Sequence, residues 1–297
     1  MARQTVFSAA FQALRPKQWV KNLILFAPLV FSLNVHNTDK TLHTLAAFGV
    51  FCLLSSAVYL FNDVIDRRND RLHPVKKNRP IASGALSVST ALALSAVLLV
   101  ASFTSGALLG RLFLVAMTVY LLNNLLYSFK LKHVVLVDVG CIALGFVVRV
   151  LAGTVVIGVA ASEWLIMCTT LLAFFLGFAK RRHELVLLGD ENSGHRQVLG
   201  EYSRELLDQL IMISAACALV SYAIYTVSDK AVSSFGTANL IYTVPFVLYG
   251  LFRYLFLIHH RQLGGDPTKV LLTDGPLILN IMLWLAACIV IIDGGLS

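Results

Sequence analysis

Nine stretches of mostly apolar residues, each about long enough to cross a bilayer as a helix, occupy residues 20–36, 42–62, 86–108, 111–129, 134–157, 162–180, 208–228, 238–259 and 275–293. In hydrocarbon every backbone N–H and C=O must be satisfied within the fold, so this pattern commits the chain to an all-α, polytopic membrane bundle. Composition agrees: 58% of the 297 residues are apolar and 13% are charged, against about 25% charged in a soluble domain. That excludes an ordinary soluble enzyme, a disordered chain and, despite the net charge of +8, a nucleic-acid binder. The chain reads as one integral-membrane domain over residues 1–297, with an interfacial segment at 1–19 ahead of a nine-helix bundle at 20–293. Phe7, Phe11 and Leu14 recur at helical spacing, so residues 4–14 are expected to lie on the membrane surface. Arg15 and Pro16 interrupt that stretch before any cleavage-like region, so no signal peptide is expected.

Lys and Arg sort by loop. Arg3, Arg15, Lys17 and Lys21 precede or open the first stretch. Arg67, Arg68, Arg71, Lys76, Lys77 and Arg79 follow the second, and Lys130 and Lys132 follow the fourth. Lys180, Arg181, Arg182, Arg196 and Arg204 lie at and after the end of the sixth, and Arg253, Arg261 and Lys269 lie around the end of the eighth. These are 20 of the 24 basic residues; the alternate loops hold only Lys40, Arg111 and Lys230, and Arg149 lies within the fifth stretch. By the positive-inside rule the N-terminus and the rich loops are cytoplasmic and the C-terminus is outside.

The second stretch ends in Asn62-Asp63-x-x-Asp66-x-x-x-Asp70. Spacings of three and four place Asp63, Asp66 and Asp70 on one face of a continuing helix, with Asn62 flanking it. Stacked carboxylates repel unless a cation separates them. Mg²⁺ suits the place, because it takes one or two carboxylates, keeps waters and completes its shell with substrate phosphates. The alternative is a solvated helix end whose aspartates pair with Arg67, Arg68 and Arg71. Emergence from a membrane helix favours the metal reading, since ionisable groups there default to function.

The other loops of that side add cations. Tyr127 is followed by Lys130 and Lys132, then by Asp138 near the start of the fifth stretch. Lys180-Arg181-Arg182-His183-Glu184 closes the sixth, where Lys180 and Arg181 can each reach Glu184. Lys17 and Lys21 flank Trp19. Singly each is a positive-inside anchor; together they can ring an anionic ligand. Arg149 should face the bundle interior, and Asp138, eleven residues earlier, is too far along the helix to touch it. Cys52, Cys141, Cys168, Cys217 and Cys288 sit in apolar stretches without ligand spacing and read as buried thiols.

At Asn62-Asp63-x-x-Asp66-x-x-x-Asp70, placed at the end of the second of nine spans, the chain resembles the UbiA superfamily of intramembrane prenyltransferases. The resemblance implies a nine-helix bundle open laterally to lipid, with an Mg²⁺-dependent diphosphate site. That family's second acidic pair, after the sixth span, is replaced here by Lys180-Arg181-Arg182-His183-Glu184, with Asp190 and Glu191 beyond. Three further stretches are similar to the family's decaprenyl-phosphate phosphoribosyltransferase branch: Leu14-Arg15-Pro16-Lys17-Gln18-Trp19-Val20-Lys21-Asn22, Tyr127-Ser128-x-x-Leu131-Lys132-His133 and Lys180-Arg181-Arg182-His183-Glu184-Leu185.

Membership of that branch implies transfer of 5-phosphoribose from phosphoribosyl diphosphate to a polyprenyl phosphate. Diphosphate is released, at the cytoplasmic face of the plasma (inner) membrane, in a route toward cell-wall arabinan precursors. Asp63, Asp66 and Asp70 are then the catalytic residues and, with Asn62, the Mg²⁺ ligands. Asn62, Lys17, Lys21, Lys76, Lys77, Arg79, Tyr127, Lys130, Lys132, Asp138, Arg149, Lys180, Arg181, Arg182 and Glu184 are the candidates for binding substrate. Two other functions fit less of the sequence. A prenyl transfer onto an aromatic or other acceptor needs a diphosphate anchor from Glu184, Asp190 and Glu191. A transporter with an Asp138–Arg149 ion relay should show matched broken spans, and the glycines of the fifth stretch (Gly140, Gly145, Gly153) have no matched partner.

Overall fold

A computed structural model describes residues 6–188, 197–261, 264–292 and 294. Arg3, Asp190, Glu191 and Arg196 therefore lie outside the described residues. Regular structure among those described is entirely helical, and eight helices are long and apolar enough to cross a membrane: Thr38–Ile65, Val88–Ala107, Arg111–Phe129, Val137–Val156, Glu163–Leu187, Arg204–Val227, Asn239–His260 and Gly275–Ile292. Each matches an expected span, and the chain is an integral membrane protein.

The expected first span differs. It is a 3-10 helix over Pro16–Phe26 followed by a short α-helix, Ala27–Phe31. A 3-10 helix turns once in three residues, so Trp19, Asn22 and Leu25 stack on one face. All three are held: Trp19 Nε1 donates to Ser56 Oγ at 3.0 Å, Asn22 Nδ2 donates to Ser55 Oγ at 3.2 Å, and Leu25 is fully buried. An α-helix would rotate each of these by about 60° from the last and lose the register. The backbone also passes close to a neighbouring helix, because a Cβ on Gly153 would lie 2.3 Å from the Leu25 carbonyl oxygen.

The described residues form two compact units, one on residues 6–161 and 197 and one on residues 162–188, 198–261, 264–292 and 294. In the first unit, α1 (Val6–Ala13) lies against α5 (Pro80–Ser83) through Ala9 and Ala13, which join Leu60, Ile81, Leu86 and Ala91 in a small core. The helix Ala27–Phe31 is α2. The long α3 (Thr38–Ile65) starts from Asn37, whose side chain accepts the Lys40 N–H, and continues after Asp66 as α4 (Arg67–Leu72). Helices α6 (Val88–Ala107), α7 (Arg111–Phe129) and α8 (Val137–Val156) complete the unit. Its main core gathers Leu25, Phe51, Leu54, Phe113, Met117, Tyr120 and Val148. Outward residues such as Val97, Val100, Leu112 and Val115 are apolar and exposed, as a lipid-facing surface requires.

In the second unit α9 (Glu163–Leu188) packs along α11 (Arg204–Val227), and the short α10 (Gln197–Gly200) precedes α11 in the chain. Then come α12 (Asp229–Phe235), α13 (Val244–His260), α14 (Pro267–Thr273) and α15 (Gly275–Ile292). Partly buried polar groups pair across helices here as hydrocarbon demands: Trp284 Nε1 donates to Tyr222 Oη at 2.9 Å and Asn280 Nδ2 donates to the Phe246 carbonyl at 2.9 Å.

Candidate functional site

The end of α3 brings together two of the three expected aspartates. Asp63 and Asp70 are seven residues apart, which returns them to nearly the same helical face, and they are 3% and 4% exposed. One nitrogen joins them: Arg79 Nη1 donates to Asp63 Oδ1 at 3.0 Å and to Asp70 Oδ2 at 2.7 Å. Arg15 Nη2 also pairs with Asp63 Oδ1. Arg79 comes from the loop that closes back after α4, which is anchored by Arg71 Nε donating to the Ala82 carbonyl at 2.9 Å.

Asp66 departs from the expected stack. Its position lies about a sixth of a turn from that of Asp63, and it sits at the joint between α3 and α4 with ψ at 0°. Its carboxylate turns to Lys132 Nζ at 2.5 Å. The backbone bonds Asp66 N–H to Asn62 O and Asp70 N–H to Asp66 O, both 2.8 Å, keep the helical path through the joint. Asn62 is engaged with Ser128 Oγ. The three carboxylates thus do not share one cation. No cluster of three His, Cys, Asp or Glu side chains with metal-ligand geometry occurs among the described residues. The pairing with Arg67, Arg68 and Arg71 does not form either; the counter-ions come from Arg15, Arg79 and Lys132.

Arg15 is the site residue that sequence reasoning missed as a ligand of the acids. It lies 48 residues from Asp63, and its backbone is left-handed, φ 56° and ψ 56°, immediately before Pro16. A non-glycine residue in that conformation costs about 1–3 kcal/mol. The side chain holds it there through Asp63 and through the Tyr59 ring, 5.0 Å from the guanidinium carbon.

Of the other candidates in this unit, Lys17, Lys77 and Lys130 are exposed, Lys21, Lys76 and Tyr127 are half-buried, and Asp138 is fully buried in the first turn of α8. Beside the aspartates, the Nε–H of Arg67 is buried without a hydrogen-bond acceptor. Arg149 is buried and completed by protein groups: Nε donates to Asn22 Oδ1 at 2.7 Å, Nη1 to the Gly145 carbonyl at 2.8 Å and Nη2 to Tyr120 Oη at 2.8 Å. In the second unit the end of α9 forms its own cluster. The expected pair of Arg181 and Glu184 is present at 2.6 Å, Lys180 is half-buried, and Arg182 is bound by Asp208, which also lies 3.4 Å from His259 Nε2.

The chain is similar to known proteins over nearly its whole length. The model of the UbiA prenyltransferase family matches residues 23–273. The decaprenyl-phosphate phosphoribosyltransferase of Corynebacterium glutamicum is 33% identical over 94% of this chain and 85% of its own. That of Mycolicibacterium smegmatis is 30% identical over 95% and 92%. Among solved structures, a UbiA homolog from Archaeoglobus fulgidus bound to GPP and Mg²⁺ superposes with a TM-score of 0.73 at 20% identity, covering 96% of this chain and all of that one. With a family match across most of its length and near-complete relatives at this identity, the chain belongs to the UbiA prenyltransferase family.

Proposed function

We propose that this protein transfers 5-phosphoribose from phosphoribosyl diphosphate to a polyprenyl phosphate and releases diphosphate, with a divalent cation, Mg²⁺, at Asp63 and Asp70. The near-complete likeness to two decaprenyl-phosphate phosphoribosyltransferases carries this reading. The donor set supports the metal. Two buried carboxylate oxygens already converge on a single cationic nitrogen, and hard oxygen donors in such a pair, with waters and phosphates, are what Mg²⁺ takes. Asp66 and Asn62 flank them. When bound, the metal neutralises charge on the departing diphosphate.

The chain's own residues do the rest. Arg15, Arg79 and Lys132 are cations within reach of the acids and are suited to orient phosphate oxygens. The buried Arg67 N–H awaits an acceptor of the kind a phosphate provides. Lys17, Lys77 and Lys130 attract a strongly anionic donor to this end of the unit. As the bond from ribose C1 to the diphosphate oxygen breaks, one from C1 to the lipid-phosphate oxygen forms on the opposite face, with inversion. That oxygen is already ionised at neutral pH, so no side chain need remove a proton.

Nine crossings, with the N-terminus and the site cytoplasmic and the C-terminus outside, belong to the same proposal. Residues 16–31, at about 2.0 Å per residue for the 3-10 part and 1.5 Å for the α part, extend about 30 Å, which matches the hydrocarbon thickness. Supplying purified protein with labelled phosphoribosyl diphosphate and polyprenyl phosphate, or with labelled geranyl diphosphate and an aromatic acceptor, tests the activity. Label is expected in the lipid from the first mixture; transfer from the second mixture alone would sink the proposal.

A further inference from the structure

We infer that Arg79 is a built-in competitor for the metal position. It bridges Asp63 and Asp70 at the place a divalent cation would take, and it turns to the diphosphate when the cation and diphosphate arrive together. This rests on the diphosphate-site reading above and goes beyond it, because it concerns how the site is held before substrate binds.

The charges make the case. Two aspartates, 3% and 4% exposed as residues, cannot stay ionised without compensation. Arg15 and Arg79 supply two positive charges against the two negative ones, so the four groups are formally neutral. A divalent cation entering this neutral set meets two guanidinium groups and no free carboxylate. It has to displace one of them. Exposure separates the cations from the acids: the Arg79 and Arg15 side chains are 28% and 24% exposed, while the two carboxylate side chains are 3% and 6%. The acids are buried and both guanidinium groups are half-buried. Arg15 is the more constrained of the two arginines, held by its left-handed backbone and by the Tyr59 ring. Displacement by a bare cation leaves Arg79 unpaired. Displacement by a cation that carries diphosphate gives the guanidinium a bidentate partner. Metal and diphosphate should therefore bind cooperatively in the intact protein, and removing Arg79 should uncouple them.

The test needs no turnover. The purified full chain in nanodiscs, without donor or lipid substrate, is titrated with Mg²⁺ alone and with Mg²⁺ plus inorganic diphosphate, reading the midpoint of thermal unfolding and the calorimetric binding isotherm. Expected for the unaltered protein is weak binding of Mg²⁺ alone and tight binding with diphosphate. Arg79→Gln should bind Mg²⁺ alone at least about tenfold more tightly, a difference of about 1.4 kcal/mol, and should lose most of the gain from diphosphate. Arg15→Gln, which leaves the bridge in place, should shift Mg²⁺ binding in the same direction by less. It serves as the test if Arg79→Gln cannot be purified. Unchanged or weaker binding of Mg²⁺ alone in these variants overturns the inference, even where phosphoribosyl transfer by the unaltered protein stands. Tighter Mg²⁺ binding in Arg79→Gln with no diphosphate effect in any form keeps the competition and removes the diphosphate partner.

Discussion

Asn22 accepts the Nε–H of Arg149 at 2.7 Å, and this one bond ties the 3-10 segment to α8 in the interior of the first unit. Asn22 is fully buried, and its amide also reaches Ser55 Oγ on α3, so three elements meet at one side chain. Replacing it with leucine leaves a buried guanidinium donor without an acceptor. The cost of an unmade hydrogen bond to a charged group is about 1.5–3 kcal/mol. Asn22→Leu should lower the thermal unfolding midpoint in nanodiscs accordingly, and Arg149→Met added to it should recover part of the loss, since the orphaned charge goes with it. A double variant less stable than the sum of the two single losses would show that the pair is not the source of the effect.

Asp63 is the acid with most at stake, because both Arg15 and Arg79 converge on its Oδ1. Asp63→Asn keeps the shape and removes the charge. Phosphoribosyl transfer should fall by at least about 10²- to 10³-fold, the usual loss when one electrostatic stabiliser of a leaving group is removed. Assay of label transfer from phosphoribosyl diphosphate checks it, and activity within a few-fold of the unaltered protein with the same Mg²⁺ dependence would refute the assignment.

What the amino-acid order revealed, and what it hid, follows from the range of each interaction. Eight spans and the pairing of Arg181 with Glu184 were legible because they depend on neighbours along one helix. Asp63 and Asp70 were legible for the same reason, being seven residues apart. Asp66 leaves the expected stack because its carboxylate is taken by Lys132, 66 residues away, which no local spacing shows. Arg15 shows only as one of the basic residues of its loop, because its partner lies 48 residues away. Asp208, the first residue of an apolar stretch, pairs with Arg182, 26 residues away, again beyond the reach of a local pattern.

Gly153 makes room for a backbone rather than for a flexible side chain. A Cβ there would meet the Leu25 carbonyl oxygen at 2.3 Å and its carbon at 3.1 Å. Gly153→Ala should therefore destabilise the first unit by about 1–3 kcal/mol, read as a lower unfolding midpoint. Gly140, on the same helix, has nothing within 4 Å of its would-be Cβ, so Gly140→Ala should leave the midpoint nearly unchanged. Equal effects at the two positions would contradict the close approach.

In the second unit Arg253 donates to both oxygens of Asp274, at 3.1 and 2.8 Å. That bidentate contact, aided by the Leu277 N–H, holds the Asp274 carboxyl below its ordinary value of 3.8. A depressed carboxyl contributes stability that is complete above its unfolded value and fades as pH falls toward the folded one. The stability gap between the unaltered protein and Asp274→Asn should be constant near neutrality and shrink only below about pH 4. A gap that already closes between pH 7 and 5 would point to another titrating group.

Whether the 3-10 segment crosses the bilayer can be read from its two flanks. Lys17 lies near its start and is exposed; Asp39, past its end, is exposed as well. If residues 16–31 span the hydrocarbon, these positions face opposite compartments, with Lys17 inside as the distribution of basic residues requires. Single cysteines at Lys17→Cys and Asp39→Cys, in a chain whose exposed Cys217 is replaced by serine, are treated with a membrane-impermeant maleimide in intact cells and after permeabilisation. Asp39→Cys should label in both conditions and Lys17→Cys only after permeabilisation. Equal labelling of both in intact cells would put the two flanks on one side, leave eight crossings, and place the loop that carries Arg79 on the opposite face from Lys17, which the Arg15–Asp63 contact in turn forbids.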